Sequence, residues 1–208
     1  MISGEARASR WFVEQYLDDD LPGGDEEPGV LTDTEARFVA ALRQHAATWT
    51  VPSATTFVCR VDDGQLAAVV RIAGSAWGAH LSGGSMYCGM LHNQLHYPLP
   101  ERFGRYLTAT GHPADLARDT ARWLEALLRR PVVEHHWVNR ERVYRQRCLF
   151  ADTGQLLWSG YDHSLAPLSL LFRRRRDPDS PDRVVAVRNW PRAAEHSASG
   201  GAHRLQDP

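Results

Sequence analysis

A chain of 208 residues with 43% hydrophobic content can bury one sizeable core, and its formal charge of −1 is the balance of 24 basic and 25 acidic side chains. Every basic residue is arginine, and the absence of lysine excludes Schiff-base and general-base lysine chemistry together with the P-loop and protein-kinase designs. No run approaches the roughly 18 to 20 apolar residues of a membrane helix, and the N-terminus has no signal-like apolar stretch, so a soluble, cytoplasmic protein with no membrane partner is predicted.

The missing lysines, only two isoleucines (Ile2, Ile72) and only three asparagines (Asn93, Asn139, Asn189) fit a high-GC genome, an actinobacterial-like composition. Cys59, Cys88 and Cys148 form an odd set without C-x-x-C, which predicts reduced thiols and no disulfide framework. Residues 1–32 carry eight acids against two arginines, whereas the remainder carries 22 arginines against 17 acids. Such a gradient suits either a solvated surface or a nucleic-acid face shielded by an acidic arm.

In chain order, Ala8, Trp11, Phe12 and Tyr16 recur at helical spacing and predict a short amphipathic helix over Glu5–Leu17, followed by an acidic, Pro/Gly-rich loop to residue 32. Thr32 and Glu35 have capping-box spacing, so a core helix is expected from there through Phe38, Val39, Leu42, Ala46 and Trp49, stopping at Pro52. Two extended runs, TTFVCRV and QLAAVVRIA, flank Asp62-Asp63-Gly64 and predict a β-hairpin whose second strand is covered on both faces. Residues 74–100, with five glycines, are the least regular part and allow loop, strand or short helix; an irregular loop there is where a functional site is expected. Pro113 opens the clearest helix, with Leu116, Thr120, Trp123, Leu124, Leu127 and Leu128 on one stripe, ending at Pro131. VVEHHWVN, RVYRQRCLF and QLLWSGY predict a three-strand meander, and Arg183–Trp190 a last strand. The tail 191–208 is expected to be disordered. The fold class is therefore α+β, a mainly antiparallel sheet with two or three helices on one face, in a single domain over 33–190.

Three constellations could carry function. Cys88, His92 and His96 are spaced four apart, so on a helix any adjacent pair could hold a zinc ion. The pattern has the two histidines of H-E-x-x-H, but Asn93 stands where the glutamate must be, which argues against a metalloprotease. Polar loop histidines beside a small buried thiol are the plainer reading. The second constellation is the 74–100 segment itself, where Trp77, His80, Tyr87, His92, His96 and Tyr97 could contact a ligand. The third is the meander, where Arg140, Arg142, Tyr144, Arg145 and Arg147 could hold phosphates and stack bases, unless they only solvate an outer sheet face. Gly-x-Ser-x-Gly and the deaminase zinc pattern are absent.

With no strong catalytic motif, the leading expectation is a non-enzymatic binding module that recognises a protein or small ligand through the 74–100 segment, with no cofactor beyond a zinc candidate. The alternatives are a metal- or histidine-dependent enzyme using His92 and His96, and a nucleic-acid-binding domain using the arginine-rich meander.

Overall fold

The computed structural model describes residues 11–14, 31–51, 54–61, 65–92, 106–167 and 180–188. Two helices and ten strands form among them, arranged as a six-stranded and a four-stranded sheet. The α+β architecture expected from the sequence is present, with two helices among the described residues, the lower end of the two or three expected.

The six-stranded sheet runs in chain order from β1 (Val13–Glu14) through β2 (Thr55–Val61), β3 (Gln65–Ile72), β4 (Ser75–Ser82) and β5 (Ser85–Met90) to β6 (Leu107–Thr110). All pairings are antiparallel except β1 with β2, which are parallel. One face receives Val58, Leu66, Ala68, Val70, Ile72, Ala79, Leu81 and Cys88, which share a hydrophobic cluster with both helices. The other face buries a smaller cluster that includes Phe57, Cys59, Ala67 and Val69. Strand β3 is thus apolar on both faces, as its nearly continuous apolar sequence requires.

Helix α1 (Asp33–Ala46) starts at the predicted capping box: Glu35 N donates to Thr32 Oγ1 at 3.4 Å, and Thr32 N donates to Glu35 Oε2 at 2.7 Å. Its buried stripe of Phe38, Val39, Leu42 and Ala46 packs toward α2 (Pro113–Leu128), which opens on Pro113 behind a His112 cap. Each fully buried leucine or phenylalanine on these stripes contributes about 1.5–3 kcal/mol of burial energy.

Two local expectations differ from the structure. The predicted helix over Glu5–Leu17 is, within its described part, a two-residue strand: Val13 faces Phe57 and Glu14 faces Val58. Its apolar residues do dock, with Trp11 edge-on to Trp49 at 5.0 Å and Phe12 wholly buried. Tertiary packing on α1 overrides the helical period here. The second difference is the first half of 74–100. It is a regular β4–β5 hairpin closed by Gly83 (φ 54°) and Gly84 (φ 80°), the pair of positive angles that a two-residue turn demands. Gly78 is required for another reason, since a Cβ there would lie 2.2 Å from the Ala68 carbonyl oxygen of β3.

The four-stranded sheet has the order β10-β7-β8-β9, built from β7 (Val132–Asn139), β8 (Arg142–Phe150), β9 (Leu156–Tyr161) and β10 (Arg183–Arg188). This is the predicted meander with the last strand added beside β7. Val132, Cys148, Phe150 and Leu157 join the helix-side cluster, and Phe150 meets Trp77 edge-on at 5.9 Å. Ser75 Oγ donates to the Leu157 carbonyl, tying the two sheets together. No helix among the described residues is long and apolar enough to cross a membrane.

The acidic loop, the Asp62-Asp63-Gly64 turn, His96, Tyr97, the tail 191–208 and most of the predicted first helix lie outside the described residues.

Candidate functional site

The β4–β5 hairpin and β6 carry a polar ladder on the sheet face away from the helices. His80 pairs with Tyr87 and Tyr87 with Thr108; two residues nearer the turn, Ser82 pairs with Ser85 and Ser85 with Thr110. The intervening residues Ala79, Leu81, Met86 and Cys88 are buried in the helix-side cluster, so the strand alternation itself aims the polar set outward. Together with Gln65, Met86 and Ala109 these residues line a groove of about 500 Å³, within the range of small-molecule sites. Its described lining holds an imidazole, a phenol, an amide and four aliphatic hydroxyls, with no carboxylate or guanidinium.

His80 is 5% exposed and forms one wall, and the Tyr87 ring lies across Gly89. A Cβ at Gly89 would come within 2.8 Å of Tyr87 Cε1, so the absence of a side chain there lets the ring lie down against the strand. His80 and Tyr87 are thereby brought together, as two of the six ligand residues expected from the sequence. The other four are not beside them in the described structure. Trp77 is fully buried between Trp123 and Phe150, His92 lies beyond the end of β5 and outside this lining, and His96 and Tyr97 are outside the described residues. Gln65, Ser82, Ser85, Thr108 and Thr110 were not singled out from the sequence. The signal that marks six of the lining residues, all but Gln65 of the polar set, is period-two alternation in HLS, SMYC and LTAT.

The helical spacing of Cys88 and His92 does not apply, because Cys88 belongs to a strand and turns toward α2, 4.0 Å from Thr120 Oγ1. Burial pushes its thiol up to about 12. Among the described residues no group of three or more His, Cys, Asp or Glu side chains is placed to hold a metal ion.

The chain matches no family model, no curated protein and no solved structure. Function therefore rests on the geometry alone, and two further clusters on the β7–β8 hairpin bear on it.

On the face that carries Cys148 into the core, Cys148 Sγ donates to Glu134 Oε1 at 3.6 Å. His136 Nε2 lies 3.0 Å from Glu134 Oε2 in ion-pair contact, off-line for a hydrogen bond. These are the groups of a nucleophilic cysteine site in the wrong order. A thiol is activated by a neighbouring imidazole, whereas here burial and then the Glu134 charge raise the Cys148 thiol to about 11. The cluster holds a neutral thiol in place.

On the opposite face, Arg145 and Arg147 both lie over Trp137, with guanidinium carbons 4.5 Å and 5.6 Å from the ring centroid. His135 meets the same indole edge-on at 6.2 Å. Tyr144, expected to be a base-stacking residue, is instead 3% exposed and clusters with Trp137 and Ala166. A bulge after Trp137 breaks the alternation that predicted otherwise. Arg140, with φ 48°, belongs to the β7–β8 turn, and Arg142 is exposed at the start of β8.

Proposed function

We propose that this chain is a binding module that takes a small, uncharged ligand in the groove between Gln65, His80, Tyr87 and Thr108. The observation that carries the reading is the charge-free polar ladder on adjacent strands of one rigid sheet. Seven side chains able to exchange hydrogen bonds converge on a space of about 500 Å³, and a rigid scaffold lets them do so without ordering cost on binding. With neither a carboxylate nor a guanidinium in the described lining, an ionic ligand would be desolvated there without a counter-charge, which is expensive. A neutral ring or sugar bearing hydroxyl or amide groups satisfies the lining, with Tyr87 offering a flat apolar face.

The metal- or histidine-dependent enzyme reading has less support, because Cys88 faces the core and the thiol near His136 is held neutral.

The test is ligand-observed NMR with a panel of nucleosides and hexoses, run beside acetate and phosphate as charged controls. Saturation transfer to a neutral member, lost in His80→Ala and Tyr87→Ala, supports the groove. Transfer only to the anions, or transfer to neutral members that survives both substitutions, overturns it.

A further inference from the structure

The end strand of the four-stranded sheet is a second surface, on the other sheet from the groove. We propose that β10 takes up an extended peptide as an added strand, one whose carboxylates stand four residues apart on either side of an apolar middle.

β10 lies at the end of its sheet, with β7 on one side and no strand on the other among the described residues. One row of its backbone N–H and C=O groups therefore faces outward, a row that another extended chain can pair along its length. Val184 stands opposite His135 and Val185 opposite Glu134, so the two valines point to opposite faces. Val184 is 56% exposed, Val185 37% and Val187 52%, which leaves apolar surface open on both sides of the same strand. The other sheet ends differ: β1 has two residues and β6 four, and the Leu157 carbonyl of β9 already accepts from Ser75 Oγ.

A bulge between Ala186 and Arg188 sets the charge pattern. Arg183 stands opposite His136 and Arg188 opposite Val132, two positions of β7 that are four apart and share a face. Both exposed arginines thus flank Val185 on one face, about 14 Å apart at 3.4 Å per residue. Without the bulge they would point to opposite faces. The acids beside them are engaged elsewhere: Asp182 Oδ2 accepts from Val138 N at 2.6 Å, and Glu134 is in contact with Cys148 and His136. A strand with acids at i and i+4 and an apolar residue at i+2 complements this face, each carboxylate opposite a guanidinium. A second copy of this chain does not, because antiparallel pairing about Val185 would set Arg183 of each copy against Arg188 of the other.

The test is fluorescence anisotropy of the full chain with a labelled heptapeptide that carries glutamates at its second and sixth positions, valines between them and threonines at its ends. Binding is expected. N-methylation of alternate peptide residues should abolish it in one phase and spare it in the other, since only one edge of an added strand meets β10. The double variant Arg183→Glu/Arg188→Glu, at exposed positions, should keep its melting temperature, lose about tenfold or more in affinity for this peptide and bind its lysine counterpart instead. Four results would overturn the proposal: no binding at millimolar peptide, the same effect of N-methylation in both phases, affinity unchanged by the charge reversal, or a dimer in sedimentation that Val185→Asp dissolves, which would make a second copy the occupant. The groove ligand test is unaffected by any of them.

Discussion

Arg130 lies flat against Phe150, its guanidinium carbon 3.6 Å from the ring centroid, while its Nη2 reaches Asp152 Oδ1 at 2.8 Å. The arginine side chain is 7% exposed and the aspartate 42%. The two partners are therefore unequal, because removing the aspartate strands a buried cation whereas removing the arginine leaves a carboxylate that water can reach. Asp152→Ala is expected to destabilise by about 2 kcal/mol, and Arg130→Met by about 1 kcal/mol, since methionine keeps the packing on Phe150. Urea denaturation of the two variants measures the order.

The same pair sets a pH dependence. The Arg130 hydrogen bond holds the Asp152 carboxyl below its ordinary value. A group depressed in the folded state contributes stability that is complete above its unfolded value of about 3.9 and is lost as pH falls through the lower folded value. The stability gap between wild type and Arg130→Met should therefore be constant from pH 5 to 7 and close below pH 4. Thermal melts across that range test it, and a gap that widens in acid would contradict the assignment.

All three thiols are buried and raised, Cys59 and Cys148 to about 11 and Cys88 to about 12. At pH 8 the thiolate fraction of the least shifted is on the order of one in a thousand. Native protein should react with DTNB only slowly and release all three equivalents on denaturation. A single fast thiol at pH 8 would mean that one of them is accessible and activated.

Two glycines of the β4–β5 hairpin should respond very differently to alanine. Gly78→Ala places a methyl against the Ala68 backbone and is expected to cost more than about 3 kcal/mol or prevent folding. Gly83→Ala meets nothing within 4 Å and costs only the strain of its φ of 54°, about 1 kcal/mol. Soluble yield and melting temperature separate the two cases.

Gly89→Ala probes the groove without touching a ligand-facing group. The new methyl would push the Tyr87 ring off the strand, a shift that a side chain on two torsions can make at a cost of about 1 kcal/mol. Ligand transfer in the NMR panel should fall while the fold is kept; unchanged transfer would show that the ring's resting position does not matter.

Much of the fold was legible because local chemistry and tertiary packing agree in it. The Thr32–Glu35 box, Pro113 ahead of a leucine stripe and the two-faced apolar β3 each have one physical reading. The β4–β5 hairpin was not legible as strands because Ala76, Trp77, Ala79 and Leu81 are buried along with Ser75 and His80, which blurs the alternation, and its turn glycines resemble those of a loop. The candidate groove was half visible. His80 and Tyr87 stood out by type, but their partners Gln65, Thr108 and Thr110 come from strands distant in sequence, and only the register unites them. The Arg145–Arg147 face followed from alternation, and the bulge that buries Tyr144 could not be read from residue types.

The parallel pairing of Val13 and Glu14 with β2 has a consequence for the order of assembly. Phe12 N donates to Thr56 Oγ1, and the Phe12 carbonyl accepts two bonds from Arg43 of α1, so this clasp needs β2 and α1 already in place. Its loop-closure cost falls due before its few contacts repay it. It should be the last piece to close and the first to open. Until it closes, β2 presents an open edge and Trp49 lacks its aromatic cover, so the interval before closure is when a nascent chain of this protein is most prone to join with another.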